Sequence, residues 1–206
     1  MKKLEWFGVL LITMGSISLA YYFIEWYDSR KTTEALTNEE VQYYQNIEMS
    51  NKDKQTLPIT SQQTPSSQIQ HQDGKRIAYM VIPKIKRKYS IYWGADDKTL
   101  KKGVGMLVSD NTTTPSGNGH TVLSGHRDTV FTDLGELKEN DYILVEYDNK
   151  VYVYQINKHW ITDADDLTVI VPKATSTLTL TTCYPFKYIG DAPERYIIES
   201  SLVSVL

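Results

Sequence analysis

The sequence predicts an all-β domain preceded by a single membrane-spanning helix. Three observations carry this reading: seven short runs rich in β-branched and aromatic residues after Arg76, turn residues at the boundaries between them, and one uncharged apolar stretch near the N-terminus. The 206 residues leave room for one sizeable core and an appendage.

The apolar stretch runs from Trp6 to Ile24 without a charged residue. At about 1.5 Å per residue a helix of this length crosses most of a ~30 Å hydrocarbon layer. Lys2 and Lys3 precede it while Glu25 and Asp28 follow, so the charge bias predicts a cytoplasmic N-terminus and an extracellular remainder. A cleaved signal peptide is the competing reading, because Ser18-Leu19-Ala20 has a small-x-small form. Against it, the apolar run continues through Tyr21, Tyr22, Phe23 and Ile24, and aromatic residues bracket the segment as interfacial anchors would. Residues 1–27 are therefore expected to form an uncleaved anchor.

Residues 28–75 are rich in Ser, Thr, Gln, Asn and Lys, with few apolar side chains to offset the entropy of ordering them, and read as a polar tether. Within it, Thr37 with Glu40 forms a capping box ahead of Val41, Tyr44 and Ile47, a pattern that predicts one short helix.

Residues 76–206 form the domain. Its runs are IAYMVIP, KYSIYW, HTVLSG, DYILVEY, KVYVYQINKHWI, TLTLTTC and RYIIES. Asp148-Asn149-Lys150 reads as a hairpin turn, prolines 83, 115, 172, 185 and 193 punctuate other boundaries, and DDKTLKKG and DLGELKEN suggest helical turns. This many short strands predicts a closed antiparallel barrel or a sandwich, which strand pattern alone does not separate.

The net charge of −3, with both signs interspersed, lacks the positive field that nucleic-acid binding requires. The densest basic run, Lys84, Lys86, Arg87 and Lys88, reads as a solvated strand or turn. A single cysteine excludes an internal disulfide framework.

That cysteine, Cys183, ends the run TLTLTTC. Side chains alternate along a strand, so Leu178 and Leu180 face one way while Thr177, Thr179, Thr181 and Cys183 face the other, toward a surface or groove. The thiol is either structural filler or a nucleophile, and a nucleophile needs a base and a positive group nearby. Among the four histidines, His71 sits in the polar segment, His159 adjoins Trp160 on a long strand, and His120 opens the HTVLSG run. His126 follows Gly125 at the end of that run and is the better base candidate. Arg195 opens the final strand and lies beside Cys183 if the strands flanking the intervening loop pair.

These residues carry a resemblance to the sortases, membrane-anchored cysteine transpeptidases of Gram-positive bacteria. VIPKI resembles the family's entry strands, LKKGVGML its helical turn and Gly-rich bend, SGHRD its histidine strand, TLTTC its T-L-x-T-C motif and RYII its arginine strand, in the family's order from Ile77 to about Glu199. The short loops, the SGHRD form and the absence of a second, C-terminal membrane segment look most like class D. The resemblance implies a closed eight-stranded β-barrel in which Cys183 is the nucleophile, His126 the general acid/base and Arg195 the stabiliser of the oxyanion or substrate. It further implies that Cys183 cleaves an L-P-x-T sorting signal after Thr and passes the thioacyl group to an amine of the lipid-linked cell-wall precursor.

An apolar groove is expected for the Leu-Pro pair, with Ile170 in DLTVIVP, Thr181 and Tyr184 as its candidate walls. No cofactor is called for, and the Asp163–Asp166 cluster reads as a solvated loop and not as a metal site. Leu57-Pro58-Ile59-Thr60 itself has the L-P-x-T form and reads as a chance match in the polar segment. Two other readings remain: a surface cysteine protease with water as acceptor, and a wall-binding β-domain with an incidental thiol.

Overall fold

The computed structural model describes residues 2–30, 33–52, 62–187, 190 and 192–206. Its strands are β1 (Thr33–Ala35), β2 (Arg76–Ile82), β3 (Arg87–Trp93), β4 (Val104–Met106), β5 (His120–Ser124), β6 (Tyr142–Tyr147), β7 (Lys150–Asp163), β8 (Thr177–Tyr184) and β9 (Glu194–Val205). The order is β3-β2-β6-β7-β9-β8-β5-β4, and β4 pairs back onto β3, so strands β2 to β9 close into an eight-stranded barrel. Strand β1 is a ninth, added to β3 at Arg87–Tyr89, while β4 uses Ile91–Trp93 further along.

All seven expected runs are strands, and each has a local reason. Asp148 and Asn149 take φ values of 51° and 57°, the left-handed pair that a tight β6–β7 hairpin needs. In β8 the leucines point inward as the alternation requires: Leu178 and Leu180 are fully buried with Met80, Ile91, Met106, Leu123, Ile143 and Ile198 in the barrel core. DDKTLKKG yields the single turn α3 (Asp97–Leu100), capped where the Asp96 side chain accepts from Thr99 N at 3.0 Å. DLGELKEN yields a 3-10 turn at Leu134–Glu136.

Three features of the barrel itself depart from expectation. The barrel is not wholly antiparallel, because β5 runs parallel to β8 and β3 parallel to β4. Residue pattern reports which face a strand buries but not its direction, and the β6–β7 hairpin lies within the crossover from β5 to β8. Val104–Met106, expected in a Gly-rich bend, is a strand too short for alternation to show. Finally, Thr177 and Thr179, expected to face a surface or groove, are buried under the loop that precedes β8.

The N-terminal segment is one helix, α1 (Lys2–Arg30), whose stretch Trp6–Ile24 is long and apolar enough to cross a membrane. Part of the segment expected as a polar tether, from Thr33 to Asn51 and again from Pro65, instead packs on the barrel. Helix α2 (Asn38–Asn51) begins at the expected capping box, in which Thr37 Oγ1 accepts from Glu40 N and Thr37 N donates to Glu40. Its buried stripe Val41, Tyr44 and Ile47 joins Leu36 in a second small core against Val81, Tyr142, Leu144, Val153 and Val203 on the barrel's outer face. Each such side chain contributes about 1.5–3 kcal/mol when fully buried, so four suffice to hold a helix that composition marks as polar. Tyr44 also hydrogen-bonds Glu146, which accepts from Lys88 Nζ at 2.7 Å. Further along, Pro65 bridges Thr113 and the Ser66 hydroxyl pairs with that of Thr112 at 2.8 Å, so the polar side chains that lower the hydropathy here serve as bonding partners. Leu57 to Thr60 lie outside the described residues.

The seam beneath α2 carries a pH dependence. Burial, reinforced by the Asp141 carboxylate and partly offset by Lys84, pushes Glu48 from 4.5 up to about 7. The folded state then holds a proton that the unfolded chain has released, so stability falls as pH rises from about 4.5 to 7. Glu48→Gln is expected to raise Tm at pH 8 and to leave it near wild type at pH 4, as thermal unfolding at the two values would show.

Candidate active site

Strands β8 and β9 run antiparallel with Cys183 directly opposite Arg195. Directly opposed residues share a face and lie only about 4.5–5.5 Å apart at Cα. That face is the outer one, since the inward partners are Leu180 with Ile198 and Thr182 with Tyr196. The thiol is half-buried and free. Arg195 Nη1 donates to Ala192 O at 3.2 Å and Glu194 O at 3.0 Å, which turns the guanidinium toward the start of β9.

His126 arrives from the other side of β8. The parallel register pairs Ser124 with Thr181, and Gly125 N continues it by donating to Thr181 O at 3.3 Å, so the chain reaches His126 level with Cys183. Gly125 is clamped a second time, because its carbonyl accepts from the buried Thr182 hydroxyl at 2.7 Å. A Cβ on Gly125 would lie 2.7 Å from Val130 Cγ2 and 2.8–2.9 Å from the Phe131 ring. Both neighbours are buried and have nowhere to go. Gly125→Ala is therefore expected to cost about 1–3 kcal/mol and to displace His126. A fall in kcat/KM of about tenfold or more alongside a lowered Tm would show both effects.

Three loops rim this face. Arg127 Nη2 donates to Gly190 O at 2.7 Å, tying the β5–β6 loop to the β8–β9 loop, and Phe186 packs on Gly135 across the same gap. Ala164 N donates to Pro193 O at 3.3 Å, tying the β7–β8 loop to it as well. The peptide bond Tyr184-Pro185 is cis.

The other expected residues fall in different places. Thr181 shares the face of Cys183 and is half-buried beside it. Ile170 is half-buried in the β7–β8 loop. Tyr184 is on the opposite parity: its ring stacks on Tyr196 at 6.2 Å and meets Phe186 edge-on at 5.7 Å, against the core and away from the thiol's face.

His120 is a structural histidine, buried, with Nδ1 2.7 Å from Val171 O and Nε2 2.7 Å from Thr179 Oγ1, and burial holds its pKa down. His71 packs edge-on to Trp93 and His159 tilts over Tyr196. In the Asp163–Asp166 cluster, Asp166 accepts from the Thr162 and Thr168 hydroxyls and from Thr168 N, bonds that lower its pKa. Among the described residues no group of three or more His, Cys, Asp or Glu side chains is placed to hold a metal. The residues that sequence reading missed are Thr182, Arg127 and Phe186. For Thr182 a signal exists: its parity is inward, and a buried hydroxyl needs a partner.

Comparison with known proteins points one way. The Sortase family model, described as a sortase domain, matches residues 80–203. Sortase D of Bacillus subtilis (strain 168) is 39% identical over 150 residues, covering 72% of this chain and 75% of that protein. The catalytic domain of B. anthracis SrtD is 69% identical, with a TM-score of 0.59 over 68% of this chain and 95% of that one. A Clostridium perfringens Sortase D5 transpeptidase is 26% identical, with a TM-score of 0.58 over 66% of this chain and 83% of its own.

Proposed function

Since the chain belongs to the sortase family of transpeptidases, we propose that it cleaves an L-P-x-T sorting signal after Thr through a thioacyl intermediate on Cys183 and transfers the protein to an amine of a cell-wall precursor. The observation that carries this reading is the convergence at one barrel face: Cys183 opposite Arg195, with the clamped Gly125 delivering His126 from the neighbouring strand.

In the first half-reaction the Cys183 sulfur attacks the Thr carbonyl carbon as a thiolate, and the C–S bond forms as negative charge gathers on oxygen. Arg195, across the strand pair, stabilises that charge with its planar donors. His126 in its protonated form gives a proton to the leaving amine, and the C–N bond breaks. In the second half, an incoming amine forms a new C–N bond, its proton passes to His126, and sulfur leaves. Thr181 beside the thiol and Ile170 on the β7–β8 loop remain the proposed groove walls, whereas Tyr184 supports the floor from behind.

The partners under this reading are surface proteins bearing sorting signals and a lipid-linked peptidoglycan precursor. Helix α1 serves as a single-pass anchor with Lys2 and Lys3 on the cytoplasmic side and the barrel outside. The test is mass spectrometry of L-P-x-T peptides incubated with the protein, with and without an added amine. An amine adduct at Thr supports transfer; a carboxylate product alone, whatever amine is present, would make the protein a protease instead.

A further inference from the structure

A polar cleft of about 420 Å³ opens between Thr33 on β1, Arg87 and Tyr89 on β3, and the loop from Thr129 to Asp133. None of the groups that form the thioacyl bond lines it. Its position is nonetheless tied to them, because the loop is the one that begins at His126. Phe131 N donates to His126 O at 3.0 Å, and the Phe131 ring packs edge-on to Tyr89 at 5.9 Å. The cleft and the acid/base are thus two sides of one turn.

The lining is chemically unfinished. Thr33 Oγ1 and Thr129 Oγ1 are both buried and, among the described residues, have no hydrogen-bond partner. Buried hydroxyls are ordinarily satisfied, so two unmet in one cleft mark a place for a ligand with donors and acceptors of its own. Arg87 Nε and Asp133 Oδ2 stand 3.8 Å apart with both side chains more than a third exposed, a loose pair that contributes little to the fold. Such a pair offers an incoming molecule one cationic and one anionic contact.

Only Val130 and the Tyr89 ring offer apolar contact in this mostly polar lining, a poor match to an apolar Leu-Pro segment, and the Asp133 carboxylate disfavours a phosphate. A peptide with a free amine matches the polar parts: its carbonyls meet the hydroxyls and Arg87, and its ammonium is drawn by Asp133. Thr33 lies three positions after the last residue of α1, so the cleft is also at the anchor-proximal end of the barrel chain.

We infer that this cleft seats the amine-bearing acceptor, a polar peptide that enters along the His126 loop. The assignment rests on the acyl-transfer reading above. The ammonium drawn in by Asp133 gives up one proton to water, and the neutral nitrogen attacks the thioacyl carbonyl: the C–N bond forms, a second amine proton goes to His126, and the C–S bond breaks with the electron pair returning to Cys183.

The experiment uses the full chain in detergent, a pool of L-P-x-T peptides, and triglycine or N-acetyl-lysine amide, whichever the wild type couples faster. Thr129→Val and Asp133→Asn are each expected to raise KM for the amine at least tenfold. The rate of thioacyl formation, read without amine, should hold within about twofold. An unchanged amine KM overturns the assignment. So does a parallel fall in thioacyl formation, which would mean that the loop merely positions His126. A wild type that cleaves the peptides yet couples neither amine removes the transfer reading, and the cleft assignment with it.

Discussion

Under the proposed mechanism Cys183→Ala should abolish turnover, by roughly four orders of magnitude or more, because no other group would form the covalent intermediate. The described chain contains no second thiol, and Ser124 and Thr181, the hydroxyls nearest in register, are less nucleophilic and sit lower on the wall. The substitution removes one half-buried atom at the open end of β8, beyond the closely packed leucines, so the barrel should keep its Tm. Sorting-signal peptides should still bind, and direct binding by fluorescence anisotropy beside an activity assay checks both expectations. Wild-type turnover in the variant would remove Cys183 from the mechanism, whereas binding retained by both proteins with turnover in neither would restore the wall-binding reading with an incidental thiol.

Arg195→Lys should lower kcat by about 10²–10³ although the charge survives, the scale seen when one preorganised oxyanion donor is lost. The guanidinium is set by two bonds from Nη1, to Ala192 O and Glu194 O, that use one edge of a rigid fork and orient the remainder. An ammonium on a flexible stem can satisfy those carbonyls or reach a substrate oxygen, but it cannot do both in one fixed plane. The loss should fall on kcat more than on KM if Arg195 acts on charge that develops in the transition state, and a pure KM effect would reassign it to substrate binding.

Much of this site was legible in the residues alone. The parity of TLTLTTC turned Cys183 away from the leucines, and the register of β8 with β9 bears out the conditional placement of Arg195 beside it. What the pattern did not convey was depth. Thr177 and Thr179 share the parity of Cys183 yet are buried, because the β7–β8 loop folds over that face and is held there by His120. Parity likewise sends Tyr184 inward, so its adjacency in sequence to the thiol is no guide to its place. The docking of α2 was half visible: the capping box and the three-residue spacing announced a helix, but not the small apolar patch on the barrel that receives it. Strand direction was not visible at all, since a parallel neighbour contributed by a distant segment leaves no trace in local alternation.

Arg30 closes α1 and Thr33 opens β1, so only two residues link the apolar helix to the sheet. Fully stretched, that connection reaches about 10 Å. With the helix seated in a bilayer, such a leash gives the enzyme almost no radius of action of its own, and encounters become a matter of lateral diffusion in two dimensions. Under the proposed function, cargo still embedded in the same leaflet and an acceptor carried on a lipid would meet it at high local concentration, whereas a soluble protein bearing the identical motif would seldom do so.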